Sequence, residues 1–223
     1  MTKEQRKLYD AHRKIAKDAL IAGGKAFDML PILTRLRQIC VDPAMFVESY
    51  EGQSGKLELF YDMVDEYISN GHRILVFSQF VKCLEDVEVV LNKKNIKYLK
   101  ITGQTSASDR VSYANLFNND DSISLFLISL KAGGTGLNLI GADTVIHLDP
   151  WWNVAAENQA TDRAHRIGQT KNVEVIKFIC ENSIEQRVIE LQNFKKDIID
   201  KFISNDESSI SSITREDLSF ILD

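Results

Sequence analysis

Cysteine is scarce in this 223-residue chain, and the three present, Cys40, Cys83 and Cys180, lie far apart. An odd number at those spacings excludes a disulfide framework and shows no metal-ligand pattern. No apolar run reaches the roughly 20 residues that a membrane-spanning helix needs. The first ten residues, MTKEQRKLYD, lack the apolar core of a signal peptide. These absences lead us to expect a soluble, cytoplasmic protein with no membrane partner. Basic charge is also short: 27 Lys and Arg stand against 32 Asp and Glu, a net charge of -5. That argues against a general nucleic-acid coat. It leaves room for a local basic groove, because steering depends on how charge is distributed. There is no internal repeat. What the chain has in quantity is apolar side chains, at 44%, enough for one large domain or one domain with appendages.

The patterning changes along the chain. Residues 2–22 read as a charged helix with Leu8, Ala11, Ile15 and Ala19 on a common face, stopped by Gly23-Gly24. A second helix is expected after Pro31, using Leu33, Leu36 and Cys40, until Asp42-Pro43. EGQSG (51–55) reads as a linker. The next helix carries Leu57, Phe60, Tyr61, Val64 and Ile68 and ends at Asn70-Gly71. From there short apolar strands are expected at 73–77, 96–101, 123–129, 144–149 and 173–179, alternating with helical stretches. One of these helices opens with Ser106 and Asp109 in a capping-box pattern. Such alternation implies right-handed crossovers and a parallel sheet with helices on both faces, with ligands beyond the carboxyl ends of the strands. A long helix from about 183 to 202 presents Ile184, Val188, Leu191, Ile198 and Phe202. The Ser- and Asp-rich tail is expected to be loosely held, docking through Leu218, Phe220 and Ile221.

Two motifs point to anions. KAGGTGLNL (131–139) follows a strand and places three glycines in four residues. Backbone amides in such a loop can cradle an anion; a tight loop between strands is the equally simple reading. QATDRAHRIGQ (159–169) spaces Arg163 and Arg166 three apart, as on one helix face. Two guanidiniums there call for an anion between or near them. Yet neither GGKAF (23–27) nor GQSGKLE (52–58) fits the phosphate loop G-x-x-x-x-G-K-[ST]. DEYI (65–68) lies within a helical periodicity, so Asp65 and Glu66 read as a solvated face. The chain thus has anion-seeking groups without a phosphate cradle or a magnesium carboxylate. An economical reading is that a nucleotide sits mainly on another lobe.

Taken in order, RILVFSQF, ITGQTSASDRVSYANLFN, FLISLKAGGTGLNLIGADTVIHLDPWWN and QATDRAHRIGQ resemble the second RecA-like lobe of the Swi/Snf family of DNA translocases, within superfamily-two helicases. The wording of 151–169 looks most like bacterial members. The resemblance covers nearly the whole chain. EQRKLY (4–9) and LTRLRQICVDP (33–43) look like segments between the lobes, and SIEQRVIELQNFKKDIID (183–200) looks like the closing brace helix. It implies an α/β RecA-like three-layer domain with a central parallel sheet over 53–182, a helical inter-lobe segment over 1–52, and a brace helix and tail over 183–223.

The resemblance also implies roles. Arg163 and Arg166 occupy arginine-finger positions facing ATP, and Gln159, Gly134 and Gly136 would join them at the nucleotide. ATP and Mg2+ would be held mainly by a first RecA-like lobe, so the isolated chain is expected to be inactive. Ser78, Gln79, Gly103, Arg110, Lys131 and Trp152 would face double-stranded DNA, and the whole engine would act on a nucleoprotein substrate. Plainer readings stand beside several of these. Arg163 and Arg166 could pair with Asp162 or Glu157, Arg110 with Asp109 or Asp120, and Trp152 could simply pack. Thr102 or Thr105 is expected to cap or touch the backbone. His147 reads as a satisfied core histidine, Trp151 as packing, and His165 as positioning at most. Val154 stands where the family usually has proline. A stand-alone DNA- or protein-binding lobe and an RNA-helicase lobe are the alternative functions.

Overall fold

A computed structural model describes residues 1–23, 26–130, 132, 136–151, 154–164, 169, 171–202 and 214–222; side chains at 26–27, 154–156, 194–202 and 215 are outside that description. The chain divides into two compact units, residues 57–178 and residues 1–56 with 179–223.

The first of these holds a five-stranded sheet: β1 (Ile74–Ser78), β2 (Tyr98–Ile101), β3 (Leu125–Ser129), β4 (Thr144–His147) and β5 (Glu174–Lys177). Its order is β2-β3-β1-β4-β5, and every pairing is parallel. The expected α/β class is therefore the observed one. β1, β3 and β4 are buried along their whole length, which is why their sequences run apolar without alternation. β5 is an edge strand and carries Glu174 and Lys177 at its exposed ends, charges that discourage further pairing.

The crossovers explain the layers. The chain steps from β1 over to β2 through α4 (Val81–Lys93), then back to β3 through α5 (Ala107–Asn119). Opposite directions with one handedness put the two helices on opposite faces. One face packs Leu75, Phe77, Phe126, Ile128 and Val145 against Ala114 and Phe117 of α5. Cys83, Leu84, Val87 and Leu91 of α4 are buried outside that cluster. β1 and β3 are neighbours whose onward connections leave in opposite directions, to β2 and to β4. That is the switch point at which open α/β sheets present their ligand crevice.

Local signals hold at several ends. The helix α3 (Gly55–Ser69) closes with Gly71 at φ +80. There the His72 and Gly71 amides donate to the Tyr67 and Ile68 carbonyls, a Schellman closure. Asp65 and Glu66 are exposed on α3, and Asp65 pairs with Lys94. At α5 the Ser106 hydroxyl accepts from the Asp109 amide at 3.1 Å, the first half of a capping box. The second half differs. The Asp109 carboxylate accepts from the Ser106 hydroxyl at 2.7 Å, being too short to reach the cap's own amide.

The other unit is helical: α1 (Lys3–Ile21), α2 (Ala26–Val41), the first residues of α3, α7 (Ile184–Phe202) and α8 (Arg215–Leu222). Three expectations are corrected here. The buried face of α1 is Gln5, Tyr9, Ala16 and Leu20, whereas Ile15 is 57% exposed. Its polar members look like surface residues but find partners. Gln5 Nε2 donates to the Ile39 carbonyl at 2.6 Å, and the Ile184 amide donates to the Tyr9 hydroxyl at 2.7 Å. Second, α2 starts at Ala26, so Pro31 lies inside it. Proline's φ is already helical, but its ring removes one intrahelical bond and crowds the carbonyl one turn back; burial of Met29, Leu33, Leu36, Ile39 and Cys40 offsets that. Third, the end of the tail is the helix α8, docked through Leu218, Ile221 and Leu222, while Phe220 stays 39% exposed.

Candidate functional site

The loops leaving the carboxyl ends of β1, β2 and β3 are tied together by a polar side chain and a backbone hydrogen bond. At the end of β1, Ser78 is fully buried and its hydroxyl donates to Asp149 Oδ2 at 3.0 Å. The Gln79 amide donates to both Asp149 oxygens, at 2.9 and 3.1 Å. Asp149, just past β4, is itself fully buried, so one carboxylate fixes the turn that carries Ser78 and Gln79. The Leu130 amide donates to the Ser78 carbonyl at 2.9 Å, bringing the start of the glycine-rich loop beside that turn.

Beyond β2 the chain folds into a tight turn. The Thr102 amide donates to the Thr105 hydroxyl at 3.0 Å, and the Gln104 amide to the Thr102 hydroxyl at 3.3 Å. Gly103 sits at its exposed tip, with open space where a side chain would be. Arg110 is half-buried beneath it. Its guanidinium donates to the carbonyls of Thr105 at 2.9 Å, Thr102 at 3.2 Å, Gly103 at 3.4 Å and Ala132 at 3.4 Å. The acids expected as its partners are engaged elsewhere, Asp109 with Ser106 and Asp120 with Ser122. Arg110 therefore clamps the β2 turn to the glycine-rich loop. Gly136 of that loop is exposed and also borders open space.

The arginine motif begins on α6 (Val154–Thr161), where Gln159 is exposed. The helix stops at Thr161, so Arg163 lies past its end, off any helix face. The reason is a strap: the Arg163 carbonyl accepts from the Leu139 amide at 2.9 Å, pulling the chain off the helical path toward the glycine-rich loop. Gln169 reinforces it, its Nε2 donating to the carbonyls of Ile140, Ala142 and Ala164. The Arg163 side chain is 4% exposed. Glu157, one of its expected partners, forms an ion pair with Lys177 at 3.0 Å. Lys131, Gly134, Trp152, His165 and Arg166 lie outside the described residues.

His147 is buried at the end of β4, stacked on Phe77 with ring centroids 5.4 Å apart. Thr161 donates its hydroxyl proton to the Glu157 carbonyl, so it accepts from His147 Nε2–H, at 3.1 Å. That tautomer leaves Nδ1 without a hydrogen bond. Burial, then the charge of Lys177, holds the imidazole pKa down at about 4. His147 is a core histidine, as expected, but only half satisfied. Asp149 and Gln169 are the residues that sequence reasoning missed at this site. The one available signal for Asp149 was an acid immediately after an apolar strand.

A parallel sheet with a glycine-rich loop at its switch point and an arginine motif strapped to that loop defines a nucleotide-motor type of α/β domain. The comparisons with known proteins agree. Residues 55–168, just over half of the chain, match the helicase conserved C-terminal domain. The chain is 37% identical over 214 residues to an uncharacterized ATP-dependent helicase of Mycoplasma pneumoniae, covering 95% of this chain and 21% of the relative. It is 41% identical over 149 residues to helicase swr1 of Schizosaccharomyces pombe, covering 67% of this chain and 12% of the relative. Among solved structures, the Sulfolobus solfataricus SWI2/SNF2 ATPase core in complex with dsDNA superposes with a TM-score of 0.80 at 29% identity. That match covers 99% of this chain and 48% of the other. The isolated C-terminal domain of the Sulfolobus ATPase gives 0.78 at 28% identity, covering 99% and 93%. The chain belongs to the helicase C-terminal domain family, and within it to the SWI2/SNF2 branch. It spans about a fifth of the length of the curated relatives from the two Mycoplasma species.

Proposed function

We propose that this chain is the second motor lobe of an ATP-dependent translocase of double-stranded DNA, acting with a first RecA-like lobe that holds most of the nucleotide. The observation that carries the proposal is the clustering of the loops beyond β1, β2 and β3, with the arginine motif strapped to the same glycine-rich loop. Ser78, Gln79, Gly103 and Lys131 then face the DNA backbone, with Trp152 beside a sugar or base. Contacts of this kind track phosphates without reading sequence, so binding weakens steeply with salt. Arg110 sets the shape of that surface through its backbone clamp.

Arg163 and Arg166 stabilise the charge that develops on the transferring phosphoryl group. Arg163 is buried here and meets a phosphate only after a rotamer change, so Arg166 takes the larger share. Gln159, Gly134 and Gly136 complete the chain's side of the nucleotide site. Magnesium belongs with the first lobe in this reading. Among the described residues, the group able to gather round a metal is Cys40, Cys180 and Glu185, and two thiols do not suit a cation that takes oxygen ligands.

The test is ATP hydrolysis by the two-lobe protein with and without duplex DNA. Arg166→Ala is expected to lose roughly 10³- to 10⁵-fold in DNA-stimulated hydrolysis, about 4–7 kcal/mol, with DNA binding kept. An ordinary surface ion pair gives about 0–1 kcal/mol. Retained hydrolysis in the variant overturns the finger assignment. A two-lobe protein that binds DNA with no DNA-stimulated hydrolysis favours a non-catalytic binding lobe instead.

A further inference from the structure

We infer that Cys40 and Cys180 form a dithiol site that hydrogen peroxide converts reversibly to a disulfide. This rests on neither the motor reading nor the DNA-facing loops. Cys40 ends α2 and Cys180 lies just before α7, 140 residues further on in sequence, within the same helical unit. Both are free and buried. The Cys180 thiol donates to the Cys40 carbonyl at 3.2 Å, and the two sulfurs lie within 4.8 Å of one another. Bonded sulfurs sit about 2 Å apart, so the two thiols must turn toward each other to join.

The polar neighbours favour thiol chemistry over metal binding. Lys56 Nζ donates to both Glu185 oxygens at 2.7 Å, and the Cys180 amide donates to Glu185 Oε2 at 2.9 Å. A metal would have to displace that ammonium from a buried carboxylate. The two sulfurs carry no such commitment. They are also unequal. A hydrogen bond from Cys40, opposed by burial and the Glu185 charge and aided by the Lys56 charge, pulls the Cys180 thiol below its ordinary range, whereas burial pushes Cys40 up. Cys180 is thus the better nucleophile.

In the first step the Cys180 thiolate attacks one peroxide oxygen. An S–O bond forms, the O–O bond breaks, and the departing hydroxide takes the proton that Cys180 released, giving water. Cys40 sulfur then attacks Cys180 sulfur. The S–S bond forms, the S–O bond breaks, and hydroxide leaves with the Cys40 proton as a second water. Two thiols lose two electrons and one peroxide gains them. The product ties the end of α2 to the start of α7 and closes a long loop.

The experiment treats the folded 223-residue chain with hydrogen peroxide, blocks remaining thiols with N-ethylmaleimide in denaturant, and maps peptides by mass spectrometry. We expect a linked Cys40–Cys180 peptide pair, reversal by dithiothreitol, and Cys83 recovered as the maleimide adduct. The oxidised chain should melt on the order of 10 °C higher than the reduced one. In Cys40→Ser, Cys180 should stop at sulfenic acid and be trapped by dimedone. No linked peptide, linkage through Cys83, or one equivalent of zinc retained in native mass spectrometry of the zinc-incubated chain with both thiols protected would each overturn the inference.

Discussion

The Lys56–Glu185 pair offers a quantitative test of the helical unit. The two side chains are 2% and 0% exposed, and Nζ lies 2.7 Å from each carboxylate oxygen. At an effective dielectric near 20 that separation corresponds to about 6 kcal/mol of attraction. Withdrawing two ions from water costs several kcal/mol each, so the intact pair is worth roughly nothing against an apolar pair of the same size. Breaking it is another matter. Lys56→Met strands a buried carboxylate and should cost about 3–5 kcal/mol. Glu185→Leu strands the ammonium and also the Cys180 amide, adding about 1–3 kcal/mol. The double variant keeps only the orphaned amide and should cost about 1–3 kcal/mol.

Urea denaturation at pH 7, read as midpoint shifts at constant m, closes the cycle. The coupling should exceed about 3 kcal/mol. pH adds a second arm. Burial lowers the Lys56 pKa, but the charge and hydrogen bond of Glu185 together with the nearby Cys180 and Cys40 outweigh it, and the net shift is upward from 10.5. The pair's contribution is therefore present below pH 10.5 and lost as pH rises through the higher folded value. In Glu185→Leu the largest raising influence is gone while burial, the largest influence of all, remains, so the folded pKa should fall and stability should climb as pH rises toward 10. Additive single effects, with coupling under about 0.5 kcal/mol, would refute the reasoning.

Two further outcomes follow from the sheet unit. Asp149→Ala removes the acceptor of Ser78 and Gln79 and should cost about 3–5 kcal/mol in denaturant unfolding, two charge-assisted hydrogen bonds' worth; a loss under 1 kcal/mol would deny Asp149 its anchoring role. His147 binds its proton near pH 4 when folded, against 6.5 in an unfolded chain. Its contribution is full above pH 6.5 and declines as pH falls toward 4, by up to about 3 kcal/mol. His147→Leu should flatten that part of the stability profile, and an unchanged slope would count against the buried neutral imidazole.

The sequence alone determined the elements whose signals are local. Residues 74–77 run apolar without a break because β1 is buried on both faces, and Asn70-Gly71 stops α3 because glycine accepts a positive φ. The alternation of strand and helix set the parallel class, and the order of motifs set the family. What the sequence hid was where polar groups end. Gln5 and Tyr9 read as surface but are buried, because their partners at Ile39 and Ile184 come from distant segments. From sequence Arg110 suits the DNA backbone or a neighbouring acid, yet it donates to backbone carbonyls of two loops. The end of α6 before Arg163 depends on a Leu139 amide more than twenty residues back. Three cysteines that seem isolated along the chain include two that meet across the fold. Periodicity and turn chemistry act within a few residues and are legible in one dimension. Strand order, the satisfaction of buried polar atoms and the pairing of thiols are set by which distant segments the hydrophobic core brings together, and only the tertiary structure decides that.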